Sequence, residues 1–496
     1  MRLQKLWAVA LLSGITLQGF SQGKLAGSPP ALSAIKEADL KRDIFELAGD
    51  AFRGRRAGTE DEMRAAAWVA QKAQEAGLKP AGDDGTYFQF FNMRRTRTAD
   101  RSTLLAGNQK LLLGKDFWVT QPVDAHIDGT VTWLNSMADT TMNLQGKVVA
   151  IKIEAPKPLP ANGMSLWEYR YTASAIRQQS MALRRRGVSA VIFVANDVTE
   201  KGIAFIGHNY GDGSYQNVGL PSAAARANAG TGRSVVPVIL LRSAFENTMK
   251  QTQPLKADLV METYLYPSVN VVAKAVGTDA QLRSEYVLYS GHHDHDGIGN
   301  PVGQDSIWNG ADDNASVTVG MLAIGRAWVA KPGKRSALFV WHGAEERGLL
   351  GSRWFAVHPT VNKASIVAVL NGDMIGRNAI DSAALLGAIP PHRNSSALVN
   401  MAMQANQGLT KFKVDNSWDE ATHPENWYFR SDHAPYAQAG IPAIFFTSLL
   451  HPDYHTPKDE PQFISIPKLA KMTRWMYATG WLVSQTAVRP ALDAKP

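Results

Sequence analysis

Hydrophobic and polar positions alternate along this chain in three textures. Within residues 60–76, Ala65, Trp68, Val69, Lys72, Ala73 and Ala76 recur at spacings of three and four, and Gly77 follows, which predicts an amphipathic helix with a stop signal. From about Lys115 to Val260 short β-branched runs take over, at 148–153, 190–194 and 235–240. Between the last two, residues 207–234 are rich in Gly, Ala, Ser and Asn and read as a long loop. From Val269 onward apolar strands alternate with helical stretches: strand 286–290, helix 316–328, strand 337–341, a helix around 349–357, strands 366–370 and 443–447, and a closing helix 466–484. Such alternation predicts an α/β fold, with a mostly parallel central sheet flanked by helices and a smaller β-rich domain inserted before it. Ligands of such sheets bind beyond the carboxyl ends of the strands.

Composition narrows the class. A chain of 496 residues exceeds one compact core, and 45% hydrophobic residues with 13 Trp supply ample surface to bury. The net charge of +8 raises the question of nucleic acid, but the basic residues are scattered, with Arg184, Arg185 and Arg186 as the longest run. That pattern describes a solvated surface, so no nucleic-acid partner is expected. The absence of Cys excludes disulfides, thiolate metal sites and a Cys nucleophile. At the N-terminus Arg2 and Lys5 precede an apolar run over residues 6–20, and Gly19, Phe20 and Ser21 form a small-x-small site. We read residues 1–21 as a signal peptide cleaved after Ser21, because the run falls short of the roughly 20 residues needed to span a bilayer. The expected location is periplasmic or secreted, without stable membrane insertion.

The predicted strand ends carry the chemistry. Residues 291–297 read Gly-His-His-Asp-His-Asp-Gly, 342–348 read His-Gly-Ala-Glu-Glu-Arg-Gly, 371–373 read Asn-Gly-Asp, and 451–455 read His-Pro-Asp-Tyr-His, with Asn-Gly-Ala-Asp-Asp-Asn at 309–314. Taken singly, each has an ordinary reading: an exposed His-rich turn, a charged turn at Glu345 and Glu346, or a helix cap at Asp312 and Asp313. A parallel sheet brings them all to one edge. Imidazoles and carboxylates gathered in one crevice suit divalent metals such as zinc and are otherwise electrostatically costly.

The segments GHHDHDG, NGADDNAS, EERGLLGS, NGDMIG and YHTPKD, in this order, resemble the co-catalytic dinuclear zinc exopeptidases, a family that includes bacterial aminopeptidases, aminopeptidase Y and glutamate carboxypeptidase. The resemblance covers about residues 40–92 and 269 to the C-terminus. QGKVVAIK and RRRGVSAVIFVAND, in between, resemble the protease-associated domain often inserted in that family. The implied organisation is residues 1–21 signal peptide, 22–114 the N-terminal part of the peptidase domain, 115–262 the inserted domain, and 263–496 the catalytic domain.

The resemblance implies two Zn2+ per chain. His292 and Asp373 would bind one, Glu346 and His455 the other, and Asp312 would bridge both. Asp294 would hold the other N–H of the His292 imidazole, and Glu345 would be the general base. A cis peptide is expected between Asp312 and Asp313, with Asp313 facing away. Val317, His293 and Asp296 depart from the family pattern without removing a ligand. Asp432 and His433, in a segment similar to the family's SDH motif, are candidates for the pocket or its support, whereas His342, His451, His423 and Glu425 are expected to be structural. The implied activity is removal of N-terminal residues from peptides. A carboxypeptidase or dipeptidase would instead need a basic group, such as Arg377, Arg347 or Arg430, to receive a substrate carboxylate. A glutaminyl cyclase resembles a one-zinc site lacking the first His, which is present here as His292, and an inactive binding module would have lost ligands that this chain keeps.

Overall fold

The computed structural model describes residues 29–221, 235–251 and 253–494. The expected signal peptide, and residues 222–234 of the expected loop, lie outside the described residues. The helix expected at 60–76 runs over Glu60–Glu75, capped by the Thr59 side chain accepting from the Asp61 amide.

The larger sheet has ten strands. Its order is Lys413–Val414, Ser382–Leu386, Ala443–Thr447, Ile366–Gly372, Tyr286–His292, Ser336–His342, Met261–Ala275, Phe88–Thr98 and Ser214–Asn217, with Lys79–Pro80 paired to Met261–Ala275. The four neighbouring strands from Ala443–Thr447 to Ser336–His342 are parallel. On either side of them the pairing turns antiparallel, at Met261–Ala275 and at Ser382–Leu386. The parallel character is therefore concentrated in the strands that read as continuous apolar runs.

Both faces of these strands are covered, which is why they show no alternation. Along Tyr286–His292, Val287 and Tyr289 face the helices Ser316–Ala330 and Ile466–Gln485, while Leu288 packs with Phe355 and Tyr436 on the other face. Tyr289, Trp328, Trp475 and Tyr477 are fully buried, each worth roughly 1.5–3 kcal/mol or more of apolar burial. Gly480 lets the last helix approach the sheet, since a Cβ there would stand 1.9 Å from the Tyr289 hydroxyl.

A second sheet of eight strands is built from Thr103 to Leu259, in the order Gln109–Leu111, Thr103–Ala106, Pro254–Leu259, Ala125–Trp133, Val148–Lys152, Ala190–Val194, Val238–Leu241 and Phe117–Val119. It begins earlier than the boundary expected at residue 115, because Thr103–Ala106 pairs with Pro254–Leu259 far along the chain. Residues 207–212, expected in a loop, instead complete the helix Ile203–Asp212, and the strand Ser214–Asn217 that follows joins the edge of the larger sheet. The stretch of chain between the strands of the second sheet thus also contributes to the larger one. Among the described residues no helix is long and apolar enough to cross a membrane.

Candidate metal centre

Because the four central strands are parallel and in register, their carboxyl ends meet. His292 pairs with His342 across the sheet and Gly372 with Phe446, so His292, the turn after His342, Asp373 and the loop after Thr447 share one edge. The helix Ser316–Ala330 starts beneath them, and the turn before it carries Asp312 and Asp313.

Two imidazoles face each other across one carboxylate. His292 Nε2 lies 3.3 Å from Asp313 Oδ1, 3.6 Å from Asp373 Oδ1 and 3.7 Å from Glu345 Oε2. His455 Nε2 lies 3.1 Å from Asp313 Oδ2 and 3.3 Å from Glu346 Oε2. Ligands at zinc-like bond lengths in a tetrahedron are separated by about 3.3–3.6 Å, so these spacings match the edges of two coordination shells that share Asp313. His292 Nε2 is also buried without a hydrogen-bond partner, as an atom kept for a metal would be.

The expected bridge at Asp312 is corrected by this geometry: Asp313 stands between the histidines. Asp312 turns the other way, its Oδ1 accepting from the Gly376 amide at 2.6 Å and its Oδ2 lying 3.5 Å from His451 Nε2. The cis peptide is likewise one residue later, between Asp313 and Asn314. Asp459 sets the register of the turn, accepting the amides of Asp312 and Asp313 at 3.0 Å. Gly310, at φ +56°, passes so close that a Cβ would stand 2.3 Å from His295. The two carboxyls also separate electrostatically. Burial raises Asp312 well above the usual range and the neighbouring charge of Asp459 adds to it. Burial would raise Asp313 too, but His292 and His455 outweigh it and hold Asp313 well below that range.

The remaining ring nitrogens are held from behind. His292 Nδ1 donates to the Asp294 backbone carbonyl at 3.1 Å, whereas the Asp294 carboxylate, 3.8 Å away, accepts the amides of Glu345 at 3.0 Å and Glu346 at 3.4 Å. The Asp294 carboxylate, expected to hold the His292 N–H, holds these amides instead, and the contact to His292 is made by the Asp294 backbone carbonyl. His455 Nδ1 faces Asp296 Oδ2 at 3.2 Å, and His295 Nδ1 lies 2.7 Å from Glu346 Oε1. Partners of this kind fix the tautomer and orientation of metal ligands. Burial alone would lower His292 and His455, yet the surrounding carboxylates raise both well above their ordinary value. A divalent ion held here would supply the positive charge that those carboxylates demand.

Glu345 is 8% exposed, and burial pushes its carboxyl well above the usual range. The turn that holds it passes through Ala344 at φ +54°, and its carbonyl accepts the amides of Gly348 and Leu349 at 2.8 Å.

Sequence reasoning missed Asp313 as the carboxylate between the two histidines, and with it Asp296, His295, Asp459 and Arg55. Arg55 is fully buried and donates to the carbonyls of His293, Asn309 and Gly310 at 2.7–2.9 Å, tying two loops together across more than two hundred residues of chain, and nothing local marks it. Asp459 stands in the quoted YHTPKD segment and was legible as conspicuous, though not by role. Asp432 is fully buried, and burial pushes it up to about 7. His433 stacks on Phe445 at 4.9 Å in the core, where burial lowers it to about 3. His342 bonds Asn270 and Tyr436, and His423 lies against Trp418. Glu425 reaches back along the chain, accepting from Ser165 Oγ at 2.9 Å and from Arg170 at 2.8 Å.

Residues 270–480 match Peptidase family M28. A probable leucine aminopeptidase of Arthroderma benhamiae is 26% identical over 234 residues, covering 44% of this chain and 58% of the relative. Aminopeptidase YwaD of Bacillus subtilis is 29% identical over 168 residues, 32% of this chain and 34% of the relative. The chain spans between 34% and 58% of the length of the curated relatives it matches. In fold it is similar to the aminopeptidase from Aneurinibacillus sp. strain AM-1, with a TM-score of 0.57 at 17% identity over 94% of this chain and 97% of that one. The zinc aminopeptidase BSAP from Bacillus subtilis gives a TM-score of 0.59 at 18% identity, over 92% and 97%. Residues 270–480, which carry the strand ends and nearly every side chain of the centre, are thus the part of this chain that is similar to peptidase family M28.

Proposed function

We propose that the protein is a secreted or periplasmic zinc-dependent aminopeptidase that hydrolyses the N-terminal residue from peptides. One zinc ion would be held by His292, Asp373 and Asp313, the other by His455, Glu346 and Asp313. The observation that carries this reading is the single carboxylate of Asp313 facing both imidazoles, at 3.3 and 3.1 Å. When bound, such a pair of ions lowers the pKa of the attacking water and polarises the scissile carbonyl.

The chain's own groups do the rest. Glu345, not needed as a ligand, takes the proton of the attacking water and passes it to the leaving amine, and burial raises its affinity for that proton. Asp294 holds the Glu345 and Glu346 amides and so fixes where the two carboxylates start.

The preference for the amino end is supported by the cations. Arg347 faces Asp212 and Asp296, Arg377 faces Asp453, and Arg430 is bonded to Glu425 and the Tyr454 hydroxyl. Each of the three basic groups considered for a substrate carboxylate is thus already paired with a carboxylate of this chain, which supports the amino end over the carboxyl end. Residues 103–259 are read as the inserted protease-associated module, with boundaries taken from the second sheet.

The test is a panel of aminoacyl chromogenic substrates beside N-blocked and C-terminal reporters, assayed before and after chelation and zinc repletion. Turnover of the unblocked aminoacyl substrates alone, lost to chelator and restored by zinc, is expected. Turnover confined to the N-blocked or C-terminal reporters, or indifferent to chelation, would overturn the reading.

A further inference from the structure

The helix Ile203–Asp212 of the inserted segment lies against the metal centre, and its last residue is ion-paired with the catalytic body. Asp212 Oδ2 is 2.7 Å from Arg347 NH1. The other guanidinium nitrogen of Arg347, NH2, is 3.1 Å from Asp296 Oδ1, and Asp296 Oδ2 is 3.2 Å from His455 Nδ1. The side chains of Asp212, Arg347 and Asp296 are 9%, 7% and 5% exposed, so the series runs through the interior. Arg56 also pairs with Asp212, and Arg95 Nε donates to the Asp212 carbonyl at 2.9 Å, which fixes the helix end from the larger sheet.

The same helix makes further contacts with the site. Its Phe205 ring lies 5.9 Å from the His455 ring and 5.9 Å from Trp308, and its His208 ring stacks on Trp308 at 5.1 Å. His208 Nε2 is 3.9 Å from Asp212 Oδ2 and 4.0 Å from Asp296 Oδ1, filling the space between the two carboxylates. Asp296 therefore meets three groups, His455, Arg347 and His208, of which Arg347 and His208 are each held by the inserted helix. Its freedom to turn away from His455 is set by that helix.

We propose that Asp212 is a positioning residue for the metal position at His455 and Glu346, acting through Arg347 and Asp296, so that this position is incomplete without the inserted segment. The inference rests on the dinuclear reading above. The position at His292 and Asp373 has no such dependence, because its imidazole is oriented by the Asp294 backbone carbonyl within its own loop. Loss of an outer partner of a metal-binding His typically weakens metal affinity by about 10–100-fold.

The experiment is a competitive zinc titration of the full chain with a chromogenic chelator, comparing the unaltered protein with Asp212→Asn. Two zinc equivalents are expected in the unaltered protein. In the variant, one should leave at a chelator concentration at least roughly 10-fold lower, and the other should be unchanged. Release of both ions as in the unaltered protein, or equal weakening of both, would overturn the proposal, the latter because it marks general loosening. If Asp212→Asn fails to fold, Arg347→Lys decides, since it keeps the charge but cannot span Asp212 and Asp296 with two nitrogens: selective release of one ion supports the proposal and unchanged release overturns it. An unaltered protein that binds no zinc would defeat the dinuclear reading itself, which is a separate result.

Discussion

Glu345 and Glu346 are consecutive in the chain, yet their carboxylates address different histidines: Glu345 Oε2 is 3.7 Å from His292 Nε2, and Glu346 Oε2 is 3.3 Å from His455 Nε2. Only Glu346 is also anchored by a third group, His295 Nδ1 at 2.7 Å. The pair is thereby divided into one carboxylate held in place and one left to exchange a proton.

That division predicts different losses. Glu345→Gln should retain both metal ions and lower kcat by at least roughly 10²-fold, the low end for removal of a general acid–base group. Glu346→Gln should instead release metal, seen by elemental analysis after dialysis. Equal metal loss in the two variants would show that the roles are not split.

A second prediction separates the other acidic neighbours. Asp313→Asn should lower the content of both ions, because the neutral amide keeps only one of the two oxygens that face the histidines and gives neither ion a compensating charge. Asp312→Asn should keep both, since an amide oxygen can still accept from the Gly376 amide. Metal analysis in which Asp312→Asn is the more damaging change would return the bridge to Asp312.

The third prediction concerns pH. Glu62 is fully buried, its Oε1 accepting from Ser268 Oγ at 2.5 Å and its Oε2 from the Gly58 amide at 2.6 Å, and burial together with the charge of Asp294 pushes its carboxyl up to about 8. In the unfolded chain the group titrates near 4.3. Between those values the folded protein keeps a proton that the unfolded chain releases, so the stabilisation is complete below about pH 4.3 and is lost as pH rises toward 8, at up to about 1.4 kcal/mol per pH unit. Urea denaturation of the chelator-treated protein should therefore show a fall in stability from pH 5 to pH 8 that is flattened in Glu62→Gln. An identical slope in the variant would remove Glu62 as its source.

The sequence by itself determined the elements and the address of the site. Fully buried strands such as Ser336–His342 announce themselves as unbroken apolar runs, because both of their faces are covered, and the amphipathic stripe of Glu60–Glu75 is a local property of one helix. The clustering of His, Asp and Glu just after strand ends was equally legible, since parallel strands must deliver those ends to one edge. It yielded His292, Glu345, Glu346, Asp373 and His455, all of which the fold gathers.

Tertiary structure decided which of two adjacent aspartates faces the histidines. Asp312 and Asp313 have the same chemistry, and the choice between them depends on the turn set by Asp459, some 146 residues away in sequence, and by Gly310 against His295. The outer partners were hidden for the same reason. Asp296 read as a mere departure from a pattern until Arg347, His208 and Asp212 surrounded it, and Asp212 lay in a stretch whose Gly- and Asn-rich composition predicts a loop. Local propensity is a weak preference that packing overrides, and here the helix Ile203–Asp212 is fixed by burial of Ile206 and His208 and by the arginines around its last carboxylate. Long-range charge pairs of this kind leave no periodic trace along a chain, and only the folded arrangement brings them within reach of the site.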